Sequence, residues 1–99
     1  MEIEILKENG AVMVNISGRV DTVTAPELEN GVKQYFGQGV DMVFNCAEME
    51  YISSSGLRVV LAAHKQVTAA GGKFMVTNLN AEVKSVFDLT GFSRILTIG

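Results

Sequence analysis

With 99 residues the chain has room for one domain, residues 1–99, and a single modest core. Its 11 acidic and 8 basic residues, with no run of Lys or Arg, give a nucleic-acid partner no electrostatic footing. Cys46 is the only cysteine, which excludes an internal disulfide and a cysteine-rich metal site, and no apolar stretch reaches the ~18 residues of a membrane helix. Charged and apolar residues alternate from Glu2 to Lys7, unlike a signal peptide, so a cytoplasmic protein without membrane contact is expected.

Taken in order, Ile3 and Ile5 alternate with Glu2 and Glu4, and Val12, Val14 and Ile16 alternate with Met13, Asn15 and Ser17. Both patterns have the period of a strand, and Glu8-Asn9-Gly10 between them has hairpin-turn chemistry. The first strand should lie at a sheet edge. After Gly18-Arg19-Val20-Asp21 a helix is predicted, with Thr24 and Glu27 at capping-box spacing and Pro26 tolerated in the first turn. Leu28, Val32, Tyr35 and Phe36 form its apolar stripe, and Gly37 and Gly39 stop it. Gly31 inside this helix costs roughly 1 kcal/mol relative to Ala.

Residues 40–46 are nearly all apolar, interrupted only by Asp41 and Asn45, as in a strand buried on both faces. Ser53-Ser54-Ser55-Gly56 follows, then a helix carrying Leu57, Val60, Leu61 and His64 at helical spacing as far as about Ala69. Ala70-Gly71-Gly72 ends it, residues 74–77 form the next strand, and Asn80 is placed to cap a third helix. Val83, Val86 and Phe87 line that helix, Thr90-Gly91 closes it, and residues 94–98 are expected to form a last short strand. The order ββαβαβαβ implies an α/β fold with a mixed sheet: an N-terminal hairpin, then parallel strands. Right-handed crossovers between neighbouring strands put the helices mainly on one face. The working loops of such a sheet lie beyond the carboxyl ends of its parallel strands, here residues 18–24, 47–55 and 78–80. Asp21 should therefore lie near the serines if the second and third strands are neighbours.

An enzyme finds little support. A serine nucleophile needs an oriented base, and the only histidine, His64, lies two to three turns down the helix on its apolar stripe. Walker and G-x-G-x-x-G loops are absent, no Asp/Glu/His set suggests a metal, and no cofactor is implied. Cys46 reads as a small hydrophobe and most of the five methionines as core filling. The serine run has two readings. A hydroxyl there can cap the helix, and the same unpaired N–H groups favour a phosphate.

The stretch Tyr51-Ile52-Ser53-Ser54-Ser55-Gly56-Leu57-Arg58 resembles the signature of the STAS family, specifically the bacterial anti-sigma-factor antagonists. Gly18 and Asp21 before Thr24-Ala25 look like that family's turn after the second strand, and Gly71-Gly72, Val83, Phe87 and Leu89-Thr90-Gly91 like its closing third. The resemblance implies partner switching by a monomer. The antagonist binds an anti-sigma factor that is also a serine kinase, and is released when a serine at the start of the second helix is phosphorylated. A metal-dependent serine phosphatase restores the binding form. Matched back from Gly56-Leu57, the acceptor is Ser54, and Ser53 stands where the family commonly has aspartate. Asn45 likewise stands where an aspartate is common. The implied contact surface is Asp21, Thr24, Ser53, Ser55, Gly56 and Arg58. Arg58 also reads as a solvated helix residue and Asp21 as the lock of its own turn. Tyr51 and Met49 could face a partner or close the core. The resemblance is also compatible with a constitutive interaction module in a secretion, stressosome-like or lipid-transport assembly. A third reading, of a different class, is a small-ligand or lipid sensor using the loops at the strand ends.

Overall fold

Asn9 and Gly10 both adopt positive φ, 49° and 78°, the left-handed pair that a two-residue hairpin turn requires. In the computed structural model, which describes residues 1–99, they join β1 (Glu2–Glu8) to β2 (Ala11–Val20) in antiparallel register, with Ile3 opposite Ile16 and Ile5 opposite Val14. There follow α1 (Ala25–Val32) with a 3-10 turn at Lys33–Tyr35, β3 (Asp41–Ile52), α2 (Ser54–Ala69), β4 (Phe74–Thr77), α3 (Ala81–Leu89), α4 (Phe92–Ile95) and β5 (Thr97–Ile98). The five strands lie in the order β1-β2-β3-β4-β5, and every pairing after the hairpin is parallel.

One cluster of 23 buried side chains fills the space between sheet and helices. From α2 it takes Leu57, Val59, Val60, Ala63 and Val67, and from α3 Val83 and Phe87. At its centre the Phe44 and Phe74 rings meet edge to face, with centroids 4.9 Å apart. The helices thus lie mainly on one face, and residues 40–46 are not buried on both faces. Met42, Phe44 and Cys46 are buried, whereas Val43 and Asn45 are half-buried and Asp41 is exposed, because no helix covers their side of the sheet.

β3 is longer than the apolar run suggests. Residues 47–52, expected in a loop, continue the strand. Its buried positions run 42, 44, 46, then 49 and 52, so the period changes from two to three. Asn15 and Ser17 of β2 face Asn45 and Glu48, and Gly18 and Arg19 face Met49 and Tyr51, so β3 accommodates one extra residue twice. Each bulge breaks the alternation by which strands are recognised, yet returns the next apolar side chain to the core.

Two local expectations are corrected. Thr24 occupies the N-cap of α1 but makes no side-chain cap bond, because its hydroxyl is engaged in the preceding turn. Residues 92–95 form a helical turn rather than the start of a strand. Gly91, at φ 82°, restarts the chain there and leaves only Thr97–Ile98 for β5. Gly31 lies inside α1 as expected, where a Cβ would meet only the flexible tip of the Ile3 side chain on the edge strand.

Candidate functional site

The backbone N–H of Ser53 donates to the carbonyl of Val20 at 2.8 Å, so β2 and β3 are pinned together at the point where each hands over to a loop or helix. Ser53 is extended (ψ 176°), its Oγ accepts the Gly56 N–H at 3.3 Å, and its carbonyl accepts the Leu57 N–H at 2.9 Å. It is the N-cap of α2, satisfying one of the open N–H groups of the first turn. Ser54 is the first helical residue, exposed and outside the cap, and Ser55 beside it is half-buried. Gly56 is buried. A Cβ there would come within 2.8 Å of Val20 Cγ1 and 3.2 Å of the Val20 carbonyl oxygen, so its part in the surface is to let α2 approach the sheet.

The loop after β2 is locked by its own side chains. Asp21 Oδ1 accepts from the N–H groups of Val23 and Thr24, both at 3.0 Å. Thr24 Oγ1 accepts the Asp21 N–H at 2.8 Å and donates to the Arg19 carbonyl at 2.8 Å. The Thr24 and Val23 N–H groups, helped by the Arg19 charge, hold the Asp21 carboxyl below its ordinary range. Asp21 and Thr24 therefore set the shape of this loop, and the loop's free surface begins at Thr22. A groove between α1 and α2 brings Thr22, Pro26 and Glu29 together with Ser55 and Arg58. Arg58 is exposed and unpaired, for the single ion pair of the chain is Lys84–Asp88.

Of the two undecided residues, Met49 closes the core and Tyr51 stays exposed. The Arg19 guanidinium lies 4.2 Å from the centre of the Tyr51 ring, stacked across the β2–β3 ladder. Arg19 was not singled out from sequence. The pair is cross-strand only because of the second bulge, and a bulge has no reliable signature in one sequence. His64 is distant in sequence and serves packing. The side chain is half-buried, its ring meets Phe74 edge-on at 6.1 Å, and its buried Nδ1 finds no hydrogen-bond partner. No group of three or more His, Cys, Asp or Glu could hold a metal ion, and no helix is long and apolar enough to cross a membrane. The arrangement offers an exposed alcohol at a helix start, an unpaired arginine one turn on, and a rigid neighbouring loop.

The fold is shared with known proteins. The family model described as STAS domain matches residues 2–99. The anti-sigma-B factor antagonist of Bacillus subtilis is 29% identical over 98 residues, covering 99% of this chain and 90% of that protein. Among solved structures, an anti-sigma factor antagonist from Mycobacterium paratuberculosis superposes with a TM-score of 0.87 at 23% identity, covering 98% of this chain and 83% of that one. The Bacillus cell fate determinant SpoIIAA in its phosphorylated form gives a TM-score of 0.77 at 17% identity, covering 99% of this chain and 91% of that one.

Proposed function

The chain belongs to the STAS domain family, and from that premise we propose that it is an anti-sigma-factor antagonist switched by phosphorylation of Ser54. In this reading the unmodified protein binds an anti-sigma factor that is also an ATP-dependent serine kinase. The surface used is the start of α2, with Ser53, Ser55 and Arg58, and the loop shaped by Asp21 and Thr24. The observation that carries the reading is the position of Ser54: exposed, first in the helix, and spared from capping because Ser53 performs it.

The chemistry is a phosphoryl transfer. The Ser54 Oγ forms a bond to the γ-phosphorus of ATP as the bond to ADP breaks, and the hydroxyl proton leaves to a base of the kinase. A serine phosphatase reverses the state with water, releasing inorganic phosphate. The added group carries about −1.5 to −2 charges at neutral pH. At a helix N-terminus such a charge is favourable by roughly 0.3–1 kcal/mol, so the domain stays folded. At a closed interface the same charge, unmatched, costs several kcal/mol, and each 1.4 kcal/mol is about tenfold in affinity. Release then follows without a large conformational change.

Ser53 at the position where aspartate is common favours one other reading, a constitutive STAS interaction module. Incubation with ATP and the cognate kinase, followed by intact-mass and peptide mapping, decides between them. One phosphate on Ser54 is expected, with Ser54→Ala refractory to it and Ser54→Asp binding the partner at least about tenfold more weakly than Ser54→Ala. No phosphate with partner binding retained would leave the constitutive module.

A further inference from the structure

The helix-free face of the sheet is organised in registered rows. Leu6 faces Met13, Met13 faces Val43, and Val43 faces Met75, so four apolar side chains stand side by side across β1 to β4. Leu6, Met13 and Met75 are 51%, 40% and 37% exposed, large values for residues of paired strands. At ~4.8 Å per strand the row runs about 14 Å. The next row is polar and internally bonded. Asn78 donates to Asn45, Asn45 to Asn15 and Asn15 to Glu4, at 2.9, 2.9 and 3.0 Å. Each of these three amides donates towards β1, and the last one ends on a carboxylate. The third row is Glu2, Ser17 and Glu48, and the row on the opposite flank is Glu8, Ala11 and Asp41.

The apolar row is therefore bordered by Glu2, Glu4 and Glu48 on one side and by Glu8 and Asp41 on the other, with the exposed Lys73 beside Asp41 where β4 begins. Of the two basic residues of the hairpin, Lys7 lies on the far side of the sheet, its Nζ 5.7 Å from the centre of the Tyr35 ring, and Arg19 is stacked on Tyr51 at the end of β2. The first bulge of β3 opens a shallow groove on this face, walled by Glu2, Glu4, Asn15, Asn45, Ala47 and Glu48. An exposed apolar stripe rimmed by charge is the form of a protein-docking surface.

We propose that this face is a second docking surface, separate from the Ser54 surface, for a partner segment that presents an apolar ridge flanked by Lys or Arg. Charge selects that occupant. A second copy of this chain, at net charge −3, would set acidic borders against acidic borders. An anionic lipid surface or a nucleic acid is repelled in the same way.

Methionine-methyl NMR of the full chain tests this with a synthetic amphipathic peptide of Leu and Lys as probe. Met13 and Met75 report on the face, while Met42 and Met49, buried on the other side, act as internal controls. The expected result is a saturable shift of the Met13 and Met75 methyls with Met42 and Met49 unmoved, and no shift with a Leu/Glu peptide. Combined Glu2→Lys and Glu48→Lys should weaken the Leu/Lys peptide about tenfold. Ser54→Asp should leave its affinity unchanged, which keeps this test independent of the switch. Shifts at all four methyls, none at Met13 and Met75, or equal binding of the acidic peptide would overturn the proposal.

Discussion

The Ser53 N–H and the Val20 carbonyl, bonded at 2.8 Å, join two loops that the chain separates by more than thirty residues. Immediately after Val20 comes the Asp21 turn, and immediately after Ser53 comes Ser54. Anything that loosens this rung moves the two halves of the candidate surface relative to each other.

Gly56 lies under that rung, and Gly56→Ala tests its closeness. The added methyl meets Val20 and Ile52 with no free space, and overpacking of this kind costs about 1–3 kcal/mol. Gly31→Ala is the control. Its methyl meets only the tip of the Ile3 side chain, which can turn away, and the helix gains up to ~1 kcal/mol in propensity. Urea unfolding should show a clear loss for the first and a change within about 0.5 kcal/mol of zero, or a gain, for the second.

Acid sensitivity follows from two carboxylates. Asp21 is held low by the Thr24 and Val23 N–H groups, and Asp88 by the Ser93 hydroxyl and Lys84. A folded-state value below the unfolded one means that each contributes stability above the unfolded value, about 3.9, and that this is lost as pH falls through the lowered folded value. Denaturation curves from pH 7 to pH 2 should therefore steepen on the acid side. Asp21→Asn together with Asp88→Asn should flatten that limb, and an unchanged limb would count against these bonds.

Arg58 stands four residues after Ser54 on the same face of α2, and helical side chains lean towards the N-terminus. With phosphoserine installed at position 54 by synthesis, bypassing any kinase, the guanidinium should favour the dianion. Phosphorus NMR should then show a second phosphate pKa, ordinarily near 6, lower in the parent than in Arg58→Gln. The expected gap is a few tenths of a unit, the size of an exposed i,i+4 pair worth ~0.2–0.5 kcal/mol. Equal titrations would mean that Arg58 serves only the partner.

Cys46 is buried, and burial pushes its thiol up to about 12. A thiol in that state is inert because the thiolate is the reactive form. Labelling with a disulfide reagent should be slow in buffer and immediate in guanidinium chloride, and rapid native labelling would contradict the packing of β3.

The element order apart from α4, the edge position of β1, the cap at Asn80 and the place of Ser54 at a helix start were legible in the chain, because each rests on local chemistry. Asn9-Gly10 dictates a turn whatever surrounds it, and a 3.6-residue apolar period specifies a helix face before any partner is known. Tertiary structure alone decided the rest. The two bulges of β3 pair Arg19 with Tyr51 and bury Met49, and they arise from matching β3 to β2 rather than from anything in β3 itself. The tight packing around Gly56 and the rows of the bare sheet face likewise depend on strands far apart in sequence. A side chain's local preference is carried by its own residue and near neighbours, whereas its contacts are set by register, and register is a property of two strands at once.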